Sequence, residues 1–129
     1  MQTLSRRAFI TAIAAGAIVS ASPGARAHQG PQPMYGLIGK MTLAPGQRDL
    51  VIAALLEGTR EMPGCLSYIV AQDPSDENPV WITEVWDSKE RHEASLTLSA
   101  VQQAIAKARP HVTGFGERFE TTPVGGYGL

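Results

Sequence analysis

The chain has 129 residues, 43% of them hydrophobic, with 11 Lys/Arg against 12 Asp/Glu and a net charge of −1. That length suits one small domain, and with no Lys/Arg cluster beyond its first residues it is a poor match for nucleic acid or an anionic lipid surface. The single cysteine, Cys65, excludes an intramolecular disulfide and any site that needs paired thiols.

The chain opens on Ser5-Arg6-Arg7-Ala8-Phe9-Ile10, followed by an alanine-rich apolar run to Ala21, then Ser22-Pro23-Gly24 and Ala25-Arg26-Ala27. Basic, apolar and small-residue segments in that order describe a cleavable signal peptide. The arginine pair ahead of Phe9 and Ile10 resembles the bacterial twin-arginine signal. A retained membrane anchor or a buried helix is the alternative, but the apolar run of about 14 residues falls short of the ~20 that span a bilayer. Cleavage after Ala27 is therefore expected, with export to the periplasm or outside the cell and no membrane attachment afterwards. The remaining segment, His28–Leu129, holds all twelve acidic residues but only eight of the eleven basic ones, so its net charge is −4.

Residues 28–34, with Gly30, Pro31 and Pro33, read as an extended, mobile leader. Alternation from Tyr35 to Leu43 predicts a strand, ended by Pro45-Gly46. From Gln47 to Met62 the apolar Leu50, Val51, Ala54, Leu55 and Met62 recur at helical spacing, and Pro63-Gly64 stops the helix. Cys65–Gln72 is a second strand, with Leu66, Tyr68 and Val70 on one face; Asp73–Pro79 is a polar turn and Val80–Trp86 a third strand, antiparallel to the second. Asp87 or Ser88 caps a helix that breaks near Leu98, where Ser99 and Gln102 have the spacing of a fresh capping box. Arg109-Pro110 ends that second half, Val112–Thr121 is the last strand, and a glycine-rich end leaves 125–129 as a tail outside a 35–124 domain. The order β-α-β-β-α-β, with helices on one face of a four-stranded antiparallel sheet, is a ferredoxin-like α+β domain. Fold alone names no chemistry.

Most familiar motifs are absent, and no two of His28, His92 and His111 have metal-ligand spacing. The informative segment is Trp81-Ile82-Thr83-Glu84-Val85-Trp86-Asp87-Ser88 with His92 beyond it. On a strand Val80, Ile82, Glu84 and Trp86 share one face. A carboxylate there needs a partner or is neutralised, which raises its pKa. His92, in the following helix, is placed to overhang the strand end that bears Trp86. A histidine and a carboxylate beside aromatics suit proton abstraction from a phenol-like substrate. The plainer alternative is a paired structural Glu84, a solvated His92, and Trp86 and Tyr68 as core.

Glu84-Val85-Trp86-Asp87-Ser88-Lys89-Glu90-Arg91-His92, together with Pro63-Gly64-Cys65-Leu66 and the element order, resembles the antibiotic biosynthesis monooxygenase family, and its quinol-monooxygenase-like branch most closely. The resemblance runs from Tyr35 to Val124. It implies a homodimer whose sheets face one another as a dimeric α/β-barrel, with a cavity between sheet and helices in each subunit. It also implies an oxygenase that acts on a small aromatic substrate and O2 and uses no cofactor, neither flavin nor metal. Carried over, His92 is the base, Glu84 a positioning or proton-relay group, and Trp86 and Tyr68 the pocket walls. Heme-degrading relatives instead pair a helical histidine with a tryptophan and an asparagine; here the only asparagine, Asn78, falls in the polar hairpin turn. A non-catalytic dimeric domain that binds heme or another hydrophobic small molecule is the competing expectation.

Overall fold

The computed structural model describes residues 32–129. The expected signal peptide and residues 28–31 of the leader lie outside the described residues. Strand β1 is Tyr35–Leu43, helix α1 Arg48–Gly58, strand β2 Cys65–Gln72 and strand β3 Pro79–Trp86. Helices α2 (Lys89–Ser95) and α3 (Ser99–Ala108) follow, then a single 3-10 turn, Arg109–His111, and strand β4, Val112–Thr121. The four strands form one antiparallel sheet in the order β2-β3-β1-β4, the expected β-α-β-β-α-β ferredoxin-like arrangement, with its second helix split in two. None of the helices among the described residues is long and apolar enough to cross a membrane.

The register explains how side chains are sorted. Tyr35 pairs with Trp86, Leu37 with Glu84, Gly39 with Ile82 and Met41 with Val80, so the odd residues of β1 and the even residues of β3 share the helix side. Tyr68 and Val70 join them from β2 across from Glu84 and Ile82. The core forms two clusters on that side. Leu43, Val51, Leu55, Val80 and Ala108 make one, and Tyr35, Met62, Trp86 and Val101 the other. Each fully buried aliphatic side chain in them, such as Leu43 or Val51, contributes about 1.5–3 kcal/mol.

Three local expectations are corrected, and one open alternative, the cap of α2, is decided. Helix α1 stops at Gly58, and its buried stripe is Val51, Ala54, Leu55 and Gly58; Leu50 is half exposed and Met62 is buried from the loop beyond. The helix ends where it meets α3: a Cβ on Gly58 would lie 2.5 Å from the Ala104 Cβ, so only glycine fits that contact. In β2 the pairing jumps from Cys65↔Trp86 to Ser67↔Val85, a bulge that turns Leu66 out to solvent and Cys65 in against the Trp86 cluster. Ser88, not Asp87, caps α2, its side chain accepting from the Arg91 N–H at 3.2 Å. Helix α3 has Leu98 at its cap position and no capping side chain; Gln102 instead donates to the Leu96 carbonyl at 3.4 Å.

Candidate active site

Glu84 is carried inward by the same alternation that buries Val80 and Trp86, although its neighbours on that face are apolar. Burial alone would force a lone carboxylate toward its neutral form. Two residues along, the Trp86 indole Nε1 donates to Glu84 Oε2 at 2.7 Å. His92 Nε2 lies 3.7 Å from the same oxygen, with the imidazole and the carboxylate only 14% and 12% exposed. Burial raises the Glu84 carboxyl above its ordinary 4.5, against the opposing pull of the Trp86 hydrogen bond, His92 and Arg118.

His92 owes its position to the start of α2. The Ser88 cap fixes the first turn, and the Asp87 N–H donates to the Gly64 carbonyl at 2.9 Å, tying that turn to the loop before β2. Gly64 has φ +85°, and a Cβ there would sit 2.7 Å from both Arg91 Cγ and Asp87 Oδ1, so only glycine lets the two segments meet. The imidazole is then held between two rings. Trp86 meets it edge-on at 74° and 5.5 Å between centroids, and Tyr35 lies tilted over it at 5.2 Å. Lys89 Nζ stands 5.7 Å over the Tyr35 ring and 3.5 Å from Glu120 Oε2.

Glu84, Trp86 and His92 wall a cavity of about 150 Å³ between the two core clusters, under α1 and α3. Tyr68, Glu84, Trp86 and His92 all line it, so the structure brings together the four residues singled out in the sequence. The rest of the lining is mostly aliphatic: Leu55, Ile82, Val101 and Ile105 among others. Burial pushes the Tyr68 phenol well above its ordinary range, with the Glu84 charge adding to it, so Tyr68 remains a protonated wall and donor. Met41, Leu55 and Ile105 also line a neighbouring apolar space of about 420 Å³ beside Arg109, Val112 and the exposed Phe115.

Tyr35, which covers the imidazole, and Arg118, which acts on Glu84 from β4, were not anticipated from the sequence. Both reach the site through strand pairing, and no local pattern announces a register. Among the described residues no three His, Cys, Asp or Glu side chains converge as metal ligands would. Asn78 lies in the β2–β3 turn, where its N–H donates to Asp76 Oδ1 at 3.0 Å and its carbonyl accepts from Leu43 N–H at 3.2 Å. It is not among the residues lining the cavity with His92.

The family model for antibiotic biosynthesis monooxygenases matches residues 34–107. A crystal structure from Chloroflexus aurantiacus, provisionally named an antibiotic biosynthesis monooxygenase, is 63% identical over 73% of this chain and 96% of that one, with a TM-score of 0.71. Provisionally named proteins of the same family from Caulobacter crescentus (18% identity, 73% and 92% covered, TM-score 0.66) and Nitrosomonas europaea (13%, 77% and 96%, 0.63) share the fold. No protein of curated function matches. The family model spans both the strand that carries Glu84 and Trp86 and the helix that carries His92, and the Chloroflexus protein matches across nearly its whole length: this chain belongs to the antibiotic biosynthesis monooxygenase family.

Proposed function

We propose that the chain is an exported, homodimeric monooxygenase that oxidises a quinol or related phenolic aromatic with O2, using the substrate's own electrons. The observation that carries this reading is the pairing of Glu84 and His92, 3.7 Å apart, on the wall of an otherwise apolar cavity. A phenol in water gives up its proton only near pH 10, and a base inside a dry pocket lowers that barrier where the resulting anion is least solvated. His92 is the base, and Glu84 orients it and takes the proton onward. Trp86 fixes the carboxylate oxygen, and Tyr68 and Trp86 bound the ring.

The electron-rich quinol anion passes one electron to O2. The two radicals join at a ring carbon bearing hydrogen, and the hydroperoxide loses water. One oxygen atom stays on the ring as a hydroxyquinone and the other leaves as water, which balances quinol plus O2. In this reading the protein supplies deprotonation, enclosure and position.

The heme alternative fits this site less well. His92 Nε2 faces Glu84 Oε2, and the space directly against the imidazole, about 150 Å³, is the size that takes one benzene ring. Export rests on the Arg6-Arg7 segment and the A-x-A site at Ala25–Ala27; an exported protein whose intact mass includes Met1–Ala27 would count against cleavage. The central test is oxygen uptake with menadiol-type quinols. Uptake by the wild-type chain and a loss of about 100-fold or more in His92→Ala are expected. Uptake that His92→Ala leaves unchanged removes His92 as the base.

A further inference from the structure

Gly39 lies in the middle of β1, between Leu37 and Met41, with its missing side chain directed to the helix side of the sheet. A glycine inside a strand weakens it, and it ordinarily marks a bulge, a close backbone approach or a place a ligand occupies. The first two reasons do not apply. The φ of Gly39 is not positive, and a Cβ placed on it would meet nothing within 4 Å. The irregularity beside it runs from Gly39↔Arg118 to Met41↔Phe115, so the extra residue belongs to β4 and not to β1.

What the glycine leaves is a hollow of about 140 Å³ walled by Leu37, Met41, Ile82, Glu84, Phe115 and Arg118. Three of those walls, Met41, Ile82 and Glu84, also line the chamber that holds His92 and Trp86. The two spaces are thus neighbours with the Glu84 carboxylate on the border. Their sizes set what fits. An apolar cavity of about 150 Å³ takes one benzene ring, so the space against His92 and the hollow each have room for one ring, and a second, fused ring has two neighbouring places to go: the hollow, or the apolar space across Met41, Leu55 and Ile105. The otherwise unexplained glycine favours the hollow.

We propose that the hollow over Gly39 is a second ring subsite, and that Gly39 sets the ring count of the ligand. One ring lies against His92 and Trp86, and the fused second ring lies over Gly39 between Glu84 and Arg118. This rests on the reading of the cavity as an aromatic-substrate site and adds to it the residue that admits the second ring.

The test is calorimetric titration of the full chain without oxygen, using 1,4-dihydroxynaphthalene and hydroquinone, so that binding is read apart from turnover. Gly39→Ala and Gly39→Val fill the hollow by steps. The naphthalenediol-to-hydroquinone affinity ratio is expected to fall a few-fold in the first and by about tenfold or more in the second. Both variants are expected to melt no lower than wild type, since the added side chain meets open space and favours the strand. A ratio that Gly39→Val leaves unchanged places the second ring elsewhere and overturns the proposal, as does wild-type chain that binds no naphthalenediol. A clearly lower melting temperature in Gly39→Ala overturns it too, because the hollow is then not free. Gly39-dependent binding without oxygen uptake keeps the subsite and sinks the oxygenase reading. Oxygen uptake with an indifferent ratio does the reverse.

Discussion

Glu84 Oε2 receives the Trp86 indole hydrogen and faces His92, so one oxygen links a fixed donor to the proposed base. Burial holds the Glu84 carboxyl above 4.5. In the pH window between 4.5 and that raised value the folded chain keeps a proton the unfolded chain has released. The stability contributed by the raised pKa is therefore fully present below 4.5 and is lost as pH rises through the window. Glu84→Gln still accepts from Trp86 but cannot ionise, so it is expected to melt higher than wild type above the window and to lose that advantage below pH 4.5; thermal melts from pH 3.5 to 8 read the difference. In the same variant quinol oxidation is expected to fall by about 10²–10⁴ if the carboxylate takes the proton onward. The acid limb of wild-type kcat/KM should lie above 4.5. Melting curves of wild type and Glu84→Gln that run parallel across that range would remove the buried charge from the account. Glu84, Trp86 and His92 were legible in the sequence because they fall within nine residues and strand alternation places two of them on one face. Tyr35 and Arg118 were not, because they arrive by pairing between distant strands.

At the scale of elements, α2 is the piece that turns a strand residue pattern into a site. It is a seven-residue helix, too short to persist without tertiary support. Its support comes from the Ser88 cap, the Gly64 contact and the Tyr35–Trp86 clasp on His92. Ser88→Ala leaves the Arg91 N–H without its acceptor and is expected to cost about 1 kcal/mol, a drop of roughly 4–8 °C in melting temperature for a domain of this size. Ser88→Gly should lose only a few tenths of that. A melting temperature unchanged in Ser88→Ala would show that the rings alone hold α2. The strand bounds Tyr35–Leu43, Cys65–Gln72 and Val112–Thr121 agree with the alternation in the sequence. The capping residue and the Leu66 bulge do not follow from it. Asp87 and Ser88 are both good caps in isolation, and only the bond from Asp87 N–H to Gly64 selects between them. The bulge depends on which partner residue faces Cys65, which is a property of two strands and not of one.

For the whole molecule the sheet has two unlike faces. The helices cover one. On the other, Ile69, Thr83, Ile38 and Phe119 lie in a row across all four strands, with Val85 and Trp81 in the rows beside it. Ile69 is 54% and Phe119 53% exposed, and none of the described helices covers this face. Four strands spaced about 4.8 Å apart and eight residues rising about 3.3 Å each give an area on the order of 500 Å² before side-chain relief. That approaches the ~800 Å² a standard interface takes from each partner, and Ile69, Ile38 and Phe119 make an apolar row across its middle. In the proposed homodimer a second copy stacked sheet to sheet would cover it at about 10 Å spacing, and twofold symmetry would make every substitution on the face appear twice. Phe119→Lys therefore puts two charges into one apolar contact, where Lys40 is already committed to Asp73 at 3.5 Å. Sedimentation equilibrium is expected to give a dimer for the wild-type chain and a monomer for Phe119→Lys at micromolar concentration. The cavity is walled by residues of one chain on the opposite side of the sheet. The monomeric variant is thus expected to bind 1,4-dihydroxynaphthalene within a few-fold of wild type. A wild-type chain that sediments as a monomer would sink the dimer, and lost binding in a still-folded Phe119→Lys would mean the partner contributes to the site.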